Sequence, residues 1–423
     1  MVTLRAGFAY CNITPPLGLP LGGYGARVGG ATGVLDPLAC RVALFEHGRT
    51  TITVIALDLV HVFGEWVARL RTRLGDGDHV LVAATHTHSG PGAFRSAIEH
   101  DERLDDFEAE LLVRVTNCVA DARRRLQSVR LSFGRAAAPG IAANRRDPSL
   151  AIDDSVCVVA ARAASGQLVG VIANFACHPT VLAAANYAYS GDLFGAAAAD
   201  AARLLDAPVV LLNGAAGDVS TRFTRRAQSD DELRRLGHEL AGAIAAAAHS
   251  ATNVNAEPLA AASDRVPVRW RDLPSPEVAA AHVQSALTDL ERVRSAGAEI
   301  GLLRVAQSRV EGAQMELFVA SRGGWPALFG ERPAVAEVQA LRLGDVVLVA
   351  APGELFAAAG RWLREALGER TLVVGYANDY LGYFIPDDEA RRGGYEALIA
   401  MVDPACEATI RERLLTVGRA AHR

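Results

Sequence analysis

Short apolar runs that end in polar or glycine-bearing loops recur along the chain and predict buried strands. The clearest run, residues 79–83, continues into Ala-Thr-His-Thr-His-Ser-Gly-Pro-Gly over residues 84–92. Residues i and i+2 of an extended segment point to the same side, so His86 and His88 can converge on one pocket. Two histidines are too few to define a metal site. At this point the pair fits either a metal centre or two surface histidines held by the loop.

The remaining apolar patterns alternate between strand and helix periodicity. The predicted strands cover residues 39–45, 51–57, 79–83, 155–163, 167–176, 208–212, 256–271, 338–343, 346–350 and 372–376. The predicted helices cover residues 62–74, 105–126, 192–205, 231–249, 276–296 and 300–319. Hairpins that lead into β-α-β units are typical of layered α/β domains. We therefore predict an α/β fold with a mixed β-sheet core flanked by helices.

The chain is expected to form a single domain over residues 1–423, because no linker, low-complexity segment or sequence repeat interrupts it. The helical segment 273–322 contains no cluster of candidate catalytic residues. It is expected to be scaffold, or a lid over a substrate channel. Residues 12–33 are rich in Gly and Pro but contain no G-x-G-x-x-G between a strand and a helix, so a dinucleotide site is not supported.

All 43 basic side chains are arginine and the chain contains no lysine. A Schiff-base lysine, a pyridoxal-phosphate anchor and a P-loop lysine are therefore excluded. The formal charge of −5 lacks the basic surplus of a nucleic-acid-binding protein, so no nucleic-acid partner is expected.

The six cysteines contain no CxxC pair and are expected to be free thiols in a reducing compartment. The N-terminal residues show no signal-peptide pattern, and no uncharged run of about 18 apolar residues predicts a membrane span. We expect a cytoplasmic enzyme that is not inserted in a membrane.

Further candidate residues follow other predicted strands. His178 comes after strand 167–176, Ser220 lies in the glycine-rich loop after strand 208–212, and Glu354 follows strand 346–350. Ligands bind at the carboxyl ends of strands in open α/β sheets. Each residue also has a plain structural alternative: Ser220 as a turn or capping residue, Glu354 as a partner of a helix dipole. Arg145, in a loop, is either solvated or binds an oxygen of a substrate.

Taken together, several motifs in this order resemble the catalytic domain of the neutral/alkaline (non-lysosomal) ceramidase family. They are the opening segment from Ala6-Gly7-Phe8 to Asn12-Ile13-Thr14-Pro15-Pro16, Thr85-His86-Thr87-His88-Ser89-Gly90-Pro91, Asn144-Arg145, His178-Pro179-Thr180, Gly217-Asp218-Val219-Ser220, Pro352-Gly353-Glu354 and the pair Tyr383 and Tyr395. The likeness covers nearly the whole chain. It implies the fold of that catalytic domain and an N-acylsphingosine amidohydrolase activity, which belongs to lipid and sphingolipid metabolism.

The resemblance implies one Zn²⁺ per chain, held by His86, His178, Glu354 and Tyr383. It also implies that His88 carries a proton, that Arg145 and Tyr395 stabilise the oxygen of the amide, and that Ser220 lines the site. This chemistry is coherent, because bound zinc lowers the pKa of water to around 7 and polarises a carbonyl group.

The chain departs from the family in having no visible secretion signal and no expected C-terminal immunoglobulin-like domain. The expected substrate is therefore ceramide, a ceramide-like molecule or another N-acylated amine. Three alternatives remain open: a zinc-dependent esterase or lactonase with a small acyl substrate, a non-catalytic metal-binding protein on the same scaffold, and a two-metal site that uses both His86 and His88.

Overall fold

Strands and helices alternate in the computed structural model, which describes residues 3–25, 27–75, 77–92, 101–330 and 334–421. The strands are β1 (Arg5–Asn12), β2 (Gly33–Val34), β3 (Ala39–His47), β4 (Thr50–Leu57), β5 (Val80–Ala84), β6 (Gln127–Ser128), β7 (Arg130–Ala137), β8 (Ala143–Asn144), β9 (Ser155–Arg162), β10 (Leu168–Phe175), β11 (Ala188–Tyr189), β12 (Val209–Asn213), β13 (Val219–Ser220), β14 (Thr252–Asn253), β15 (Leu259–Val268), β16 (Ala334–Leu343), β17 (Val346–Ala350), β18 (Glu354–Leu355), β19 (Thr371–Val374) and β20 (Tyr383–Phe384). The helices are α1 (Gly64–Leu74), α2 (Glu102–Arg124), α3 (Asp192–Leu205), α4 (Asp230–His249), α5 (Pro276–Ser295), α6 (Ile300–Ala320), α7 (Trp325–Phe329), α8 (Ala357–Leu367), α9 (Asp387–Arg391), α10 (Tyr395–Ile399) and α11 (Cys406–Ala421).

The predicted strands and helices are confirmed to within a few residues. Several elements have no counterpart in the prediction, among them strands β1 and β7, helix α11 and short elements such as β2, α7 and α9. The apolar residues of β7 are interrupted by Ser132, Gly134 and Arg135, which hides the strand pattern in the sequence.

Three large sheets share one succession of elements. Their strand orders are β5-β4-β3-β1-β6, β12-β10-β9-β7-β14 and β19-β17-β16-β15. In each sheet three long strands are antiparallel, and a helix then leads to a strand that lies parallel to its neighbour. The chain is therefore built from three structural repeats, and no repeat in the sequence marks them.

The sheets face one another across a shared apolar core and carry helices on their outer faces. The shared core includes Phe8, Phe45, Ile172, Leu212 and Leu348 from all three sheets. Outside it, α1 and α2 cover the first sheet, α3 and α4 the second, and α8 and α11 the third. This arrangement confirms the prediction of an α/β fold with mixed sheets flanked by helices.

The carboxyl ends of the three parallel strands meet through hydrogen bonds. The backbone N–H of Ala84 donates to the carbonyl oxygen of Tyr376 at 3.0 Å, and that of Gly375 donates to Asn213 at 3.0 Å. The side-chain amide of Asn213 donates to the carbonyl oxygen of Thr85 at 3.0 Å. The loops that leave β5, β12 and β19 are consequently gathered at one place.

Helices α5 and α6, which cover most of the predicted lid segment, pack against each other through Val283, Ala286, Val310 and Ala313. No helix among the described residues has the length and apolar character needed to cross a membrane.

All six cysteines are free thiols, and three of them are close together. The sulfur atoms of Cys11, Cys40 and Cys118 lie within 4.8 Å of one another. Cys11 on β1 pairs with Cys40 on β3, and Cys118 lies on α2 against both strands. Hydrogen bonds from Cys118 and Cys40 lower the pKa of the Cys11 thiol to about 4, against the effect of burial and with help from the charge of Arg114.

We expect Cys11 to react with iodoacetamide at a nearly constant rate between pH 6 and 9, because its thiolate is already formed at pH 6. An ordinary thiol, with a pKa of about 8.5, gains reactivity roughly tenfold per pH unit over the lower part of this range. Peptide mass spectrometry measures the rate at Cys11, with a free cysteine peptide as the reference and Cys11→Ser as the control. A rate that follows the reference peptide would contradict the prediction.

Candidate metal centre

The four residues expected to bind metal come together at the gathered strand ends. His86 follows β5, and His178 follows β10. Glu354 and Tyr383 begin the short strands β18 and β20, which pair in parallel with these two residues in register. Residues widely separated in the sequence are therefore neighbours here.

The potential ligand atoms lie at distances that suit a single ion. His86 Nε2 is 3.7 Å from Glu354 Oε1, and His178 Nε2 is 3.0 Å from Glu354 Oε2. The hydroxyl of Tyr383 is 3.5 Å from His178 Nε2. Tetrahedral zinc with ligand bonds of about 2.0–2.1 Å has ligand atoms roughly 3.3 Å apart. The donor set therefore fits a divalent metal ion.

The backbone fixes the protonation of two imidazoles. Nδ1 of His86 lies 2.6 Å from the carbonyl oxygen of Val60, and Nδ1 of His178 lies 2.6 Å from that of Ala216. A carbonyl oxygen only accepts hydrogen bonds, so each Nδ1 carries the proton and each Nε2 presents a lone pair. This is the arrangement in which metal-binding histidines are held by a second hydrogen bond.

The backbone at His86 is unusual for a residue with a side chain. Its φ is +69°, in the left-handed region that non-glycine residues rarely adopt. Such conformations are concentrated at functional sites, where the surroundings enforce them. Here the backbone N–H of His86 donates to the carbonyl oxygen of Leu59 at 2.9 Å, which holds the turn that directs the imidazole.

Burial keeps the imidazoles neutral. It lowers the pKa of His86 to about 3, with the charge of Glu354 acting in the opposite direction. Burial also lowers the pKa of His88 and of His178 well below the usual value. Neutral imidazoles can donate their lone pairs to a metal ion without first losing a proton.

Glu354 is a buried carboxylate that has no arginine within salt-bridge distance among the described residues, although the charge of Arg145 acts on it from farther away. It is 1% exposed, and within the described ranges its ionic contacts are with the neutral rings of His86 and His178. An isolated carboxylate in a protein interior is costly unless it is paired or coordinates a metal. A divalent cation among these side chains would compensate the charge, so the chemistry of the donor set supports a metal site.

Two tyrosines that sequence reasoning leaves without a role hold this carboxylate. Tyr380 donates its hydroxyl hydrogen to Glu354 Oε1 at 2.6 Å, and Tyr376 donates to Glu354 Oε2 at 3.4 Å. The ring of Tyr376 also stacks on His86 with centroids 4.1 Å apart. Their only signal in the sequence is the concentration of tyrosines after strand 371–374.

His88 is close to the other two histidines but differs from them. Its Nε2 lies 3.3 Å from His86 Nε2, and its Nδ1 is buried without a hydrogen-bond partner among the described residues. His86, His88 and His178 together form a buried group that could hold a metal ion. Among the described residues, no carbonyl oxygen accepts a hydrogen bond from Nδ1 of His88. The protonated nitrogen of His88 is therefore not fixed in the way that it is in His86 and His178.

A glycine-rich loop covers His88. A side chain at Gly23 would place its Cβ 2.3 Å from the ring of His88, and the φ of Gly23 is +88°. The ring of Tyr24 meets His88 edge to face with centroids 4.9 Å apart. Part of the Gly- and Pro-rich segment 12–33 therefore forms one wall of the site.

Arg145 lies beside Tyr383 and is held by a buried ion pair. Its Nη2 donates to the hydroxyl of Tyr383 at 2.8 Å, and its Nε donates to Glu396 Oε1 at 2.9 Å. The guanidinium carbon is 5.8 Å from the centre of the Tyr395 ring, which meets the Tyr383 ring at 80°. Arg145 and Tyr395 therefore lie beside Tyr383, one of the potential ligands.

The carboxylate of Glu396 stays ionised. Burial alone would raise the pKa of Glu396, but Arg145 and Arg146 outweigh this and hold its pKa below the usual value. Glu396 is a further residue that sequence reasoning leaves without a role, although it directly follows Tyr395.

Ser220 supports the site through its backbone. It forms a parallel bridge with His178, and the N–H of His178 donates to the carbonyl oxygen of Val219 at 2.8 Å. The Ser220 hydroxyl accepts a hydrogen bond from the N–H of Arg222 at 3.2 Å. The structure therefore places Ser220 next to the His178 backbone, with its hydroxyl in a turn.

Asp218 connects two of the loops that form the site. Its carboxylate accepts hydrogen bonds from the Asn144 side chain at 2.6 Å and from the Ala357 N–H at 2.7 Å. Its backbone carbonyl accepts from the N–H of Arg145 at 2.7 Å. These bonds position Arg145 relative to the start of α8.

Comparisons with known proteins point to one group of enzymes. The chain is 25% identical over 403 residues to a neutral ceramidase from Pseudomonas aeruginosa, a match that covers 82% of this chain. The match covers 60% of the relative, so the chain spans less than two thirds of its length. No family model matches the sequence.

Solved structures agree with this finding. A structure described as a ceramidase complexed with C2 has a TM-score of 0.79 and 20% identity, covering 100% of this chain and 76% of that one. The crystal structure of neutral ceramidase from Pseudomonas aeruginosa has a TM-score of 0.78 and 20% identity, covering 99% of this chain and 74% of that one. The resemblance seen in the sequence is confirmed: the chain is a homologue of neutral ceramidase and has the fold of that enzyme's catalytic domain.

Proposed function

We propose that the chain is a zinc-dependent hydrolase that cleaves the N-acyl amide bond of ceramide, or of a ceramide-like or other N-acylated amine. The observation that carries the proposal is the buried Glu354 carboxylate between the lone pairs of His86 and His178. The relative from Pseudomonas aeruginosa is a neutral ceramidase, and this likeness supports an amide substrate and a role in sphingolipid metabolism.

In this proposal His86, His178, Glu354 and Tyr383 hold one Zn²⁺. A bound zinc ion polarises a carbonyl group and lowers the pKa of water to about 7. Nitrogen and oxygen ligands suit zinc, and they also bind other divalent transition metals of the first row. The two imidazoles held by backbone carbonyls favour this set over one that includes His88.

The other residues bind and orient the substrate or move protons. Arg145 donates hydrogen bonds to the oxygen of the amide, and the hydroxyl of Tyr395 assists it, which stabilises the negative charge that develops there. His88 accepts a proton and delivers it to the departing nitrogen, since its ring is neutral and its Nδ1 has no hydrogen-bond partner within the described part of the chain. Ser220 lines the site.

We further propose that the whole chain forms one domain, in which α5 and α6 form a lid over the site. The free cysteines support a reducing, cytoplasmic location.

Metal removal tests this function directly. We expect purified protein to contain about one zinc per chain, to lose amide hydrolysis after treatment with a chelator, and to regain it with added Zn²⁺. The substrates are short-chain and long-chain ceramides, other N-acylated amines, and the matched esters. His86→Ala should lose both zinc and activity, whereas His238→Ala, at a side chain that is 70% exposed, should keep both.

Each other result selects a different function. Cleavage of the esters alone would establish an esterase or lactonase, and zinc binding without turnover would indicate a metal-binding protein. Two zinc ions per chain would support a two-metal site. A His86→Ala variant that keeps its zinc and its activity would contradict the site assignment.

A further inference from the structure

A polar pocket adjoins the candidate metal centre on the side of Arg145 and Tyr395. Its volume is about 290 Å³, and its wall contains five arginines and three carboxylates. Ser308 and Arg309 contribute from α6, part of the proposed lid. Pockets for whole drug-sized ligands occupy roughly 300–1,000 Å³. This one therefore has room for a compact polar group.

Two of the three carboxylates of the pocket, Glu396 and Glu389, form ion pairs with arginines, and the third, Asp147, accepts hydrogen bonds from the N–H and hydroxyl of Ser149 at 2.9 and 2.7 Å. Glu396 accepts from Arg145 at 2.9 Å and is 3.3 Å from Arg146. Glu389 is 3.3 Å from Arg146 and 2.8 Å from Arg392. These pairs leave the pocket with more positive than negative charge.

Arg222 is the pocket arginine that has no carboxylate within salt-bridge distance among the described residues, although the charge of Glu396 acts on it from farther away. Its guanidinium is partly buried and donates to the carbonyl oxygen of Arg145 at 3.0 Å and to the hydroxyl of Ser308 at 3.0 Å. A guanidinium has five N–H donors, so these two bonds leave others for a ligand. Burial and the charge of Arg145 lower the pKa of Arg222 to about 9, so the side chain remains a cation at neutral pH.

We propose that this pocket binds an anionic group of the substrate, a carboxylate or a phosphate, with Arg222 as its main partner. The inference rests on the proposed function, because it makes the substrate an N-acylated amine that carries such a group. An arginine fork matches the oxygens of carboxylate and phosphate. A hydrocarbon chain in the same pocket would bury charged groups without new partners, which is unfavourable.

The test uses substrates that differ only in charge. All four substrates carry the same acyl chain. They are an N-acyl amino acid, its uncharged carboxamide, an N-acylethanolamine and the phosphate monoester of that N-acylethanolamine. We expect the intact protein to prefer the charged members, and the two kinds of charged substrate distinguish carboxylate from phosphate. Hydrogen bonds to charged groups contribute roughly 1.5–3 kcal/mol, so kcat/KM for these members should fall about tenfold to a hundredfold in Arg222→Met.

Arg370→Met is the matched control. Arg370 precedes β19, at the end of that strand away from the site, and its guanidinium is paired with Asp345 at 2.9 Å. Its removal should change kcat/KM of the charged substrates by no more than about twofold, as expected for an exposed ion pair. An equal loss on charged and uncharged substrates in Arg222→Met would show a merely structural role for Arg222 and overturn the proposal.

A binding measurement separates this proposal from the proposed function. Isothermal titration of N-acetylglycine and of inorganic phosphate into the intact protein requires no turnover. Binding that is lost in Arg222→Met but kept in Arg370→Met would support the anion pocket even if no amide is cleaved. Absence of binding together with equal turnover of charged and uncharged amides would reject the pocket and leave the hydrolase intact.

Discussion

Glu354→Gln is expected to abolish tight metal binding and, with it, hydrolysis. The substitution keeps the shape of the side chain but removes the carboxylate that contacts both His86 and His178. An amide oxygen is a weaker metal ligand than a carboxylate. The NH₂ group of the glutamine can also donate hydrogen bonds to the imidazole lone pairs that the metal ion would otherwise use. The measurement is metal content per chain together with kcat/KM on the best amide substrate.

Tyr380→Phe provides a graded comparison at the same carboxylate. It removes the 2.6 Å hydrogen bond to Glu354 but leaves every proposed ligand in place. Loss of such a supporting partner typically costs about 10- to 100-fold in metal affinity or activity. Metal affinity should therefore decrease in the order intact protein, Tyr380→Phe, Glu354→Gln. A Glu354→Gln protein with full zinc content would show that the ion is held elsewhere.

Asp58→Ala is expected to lower the free energy of unfolding by roughly 3–5 kcal/mol, the usual cost of removing one partner of a buried ion pair. The side chain of Asp58 is fully buried and accepts from Arg41 at 2.8 Å and from the backbone N–H of Ala39 at 2.9 Å. Its removal leaves the Arg41 guanidinium, with 11% of its side chain exposed, without its partner. Urea titration followed by circular dichroism measures the change.

Glu46→Ala is the control for this stability effect. Glu46 lies on the same strand as Arg41, but its ion pair with Arg5 is solvent-exposed. Such pairs contribute about 0–1 kcal/mol. Equal losses in Asp58→Ala and Glu46→Ala would mean that burial does not determine the strength of the Asp58 contact.

The strands and helices could be predicted because their apolar periodicity is strong. Strand 346–350 is a continuous apolar run, and helix 231–249 has apolar residues at helical spacing. Both predictions are confirmed. The gathering of His86, His178, Glu354 and Tyr383 was expected from a family resemblance, since no spacing in the sequence measures a distance between strands.

Other parts of the site could not be predicted for physical reasons. Tyr380 and Glu396 act through partners on loops remote in sequence, so their contacts depend on how the three sheets pack together. Arg222 is one of 43 basic residues, and only the fold shows that no carboxylate of the described residues lies within salt-bridge distance of it. The left-handed backbone of His86 is likewise enforced by neighbours and not by its own side chain.

The threefold repetition of the sheets has a consequence for how this protein can be altered. The first repeat supplies His86, the second His178, and the third Glu354 and Tyr383. No single third of the molecule holds the complete set of proposed ligands, so a fragment that folds alone would lack the proposed metal site. A slight reorientation of one third would displace its donors from those of the other two. Substitutions deep between the sheets are therefore expected to inactivate the proposed hydrolase from a distance, even when every proposed ligand is kept.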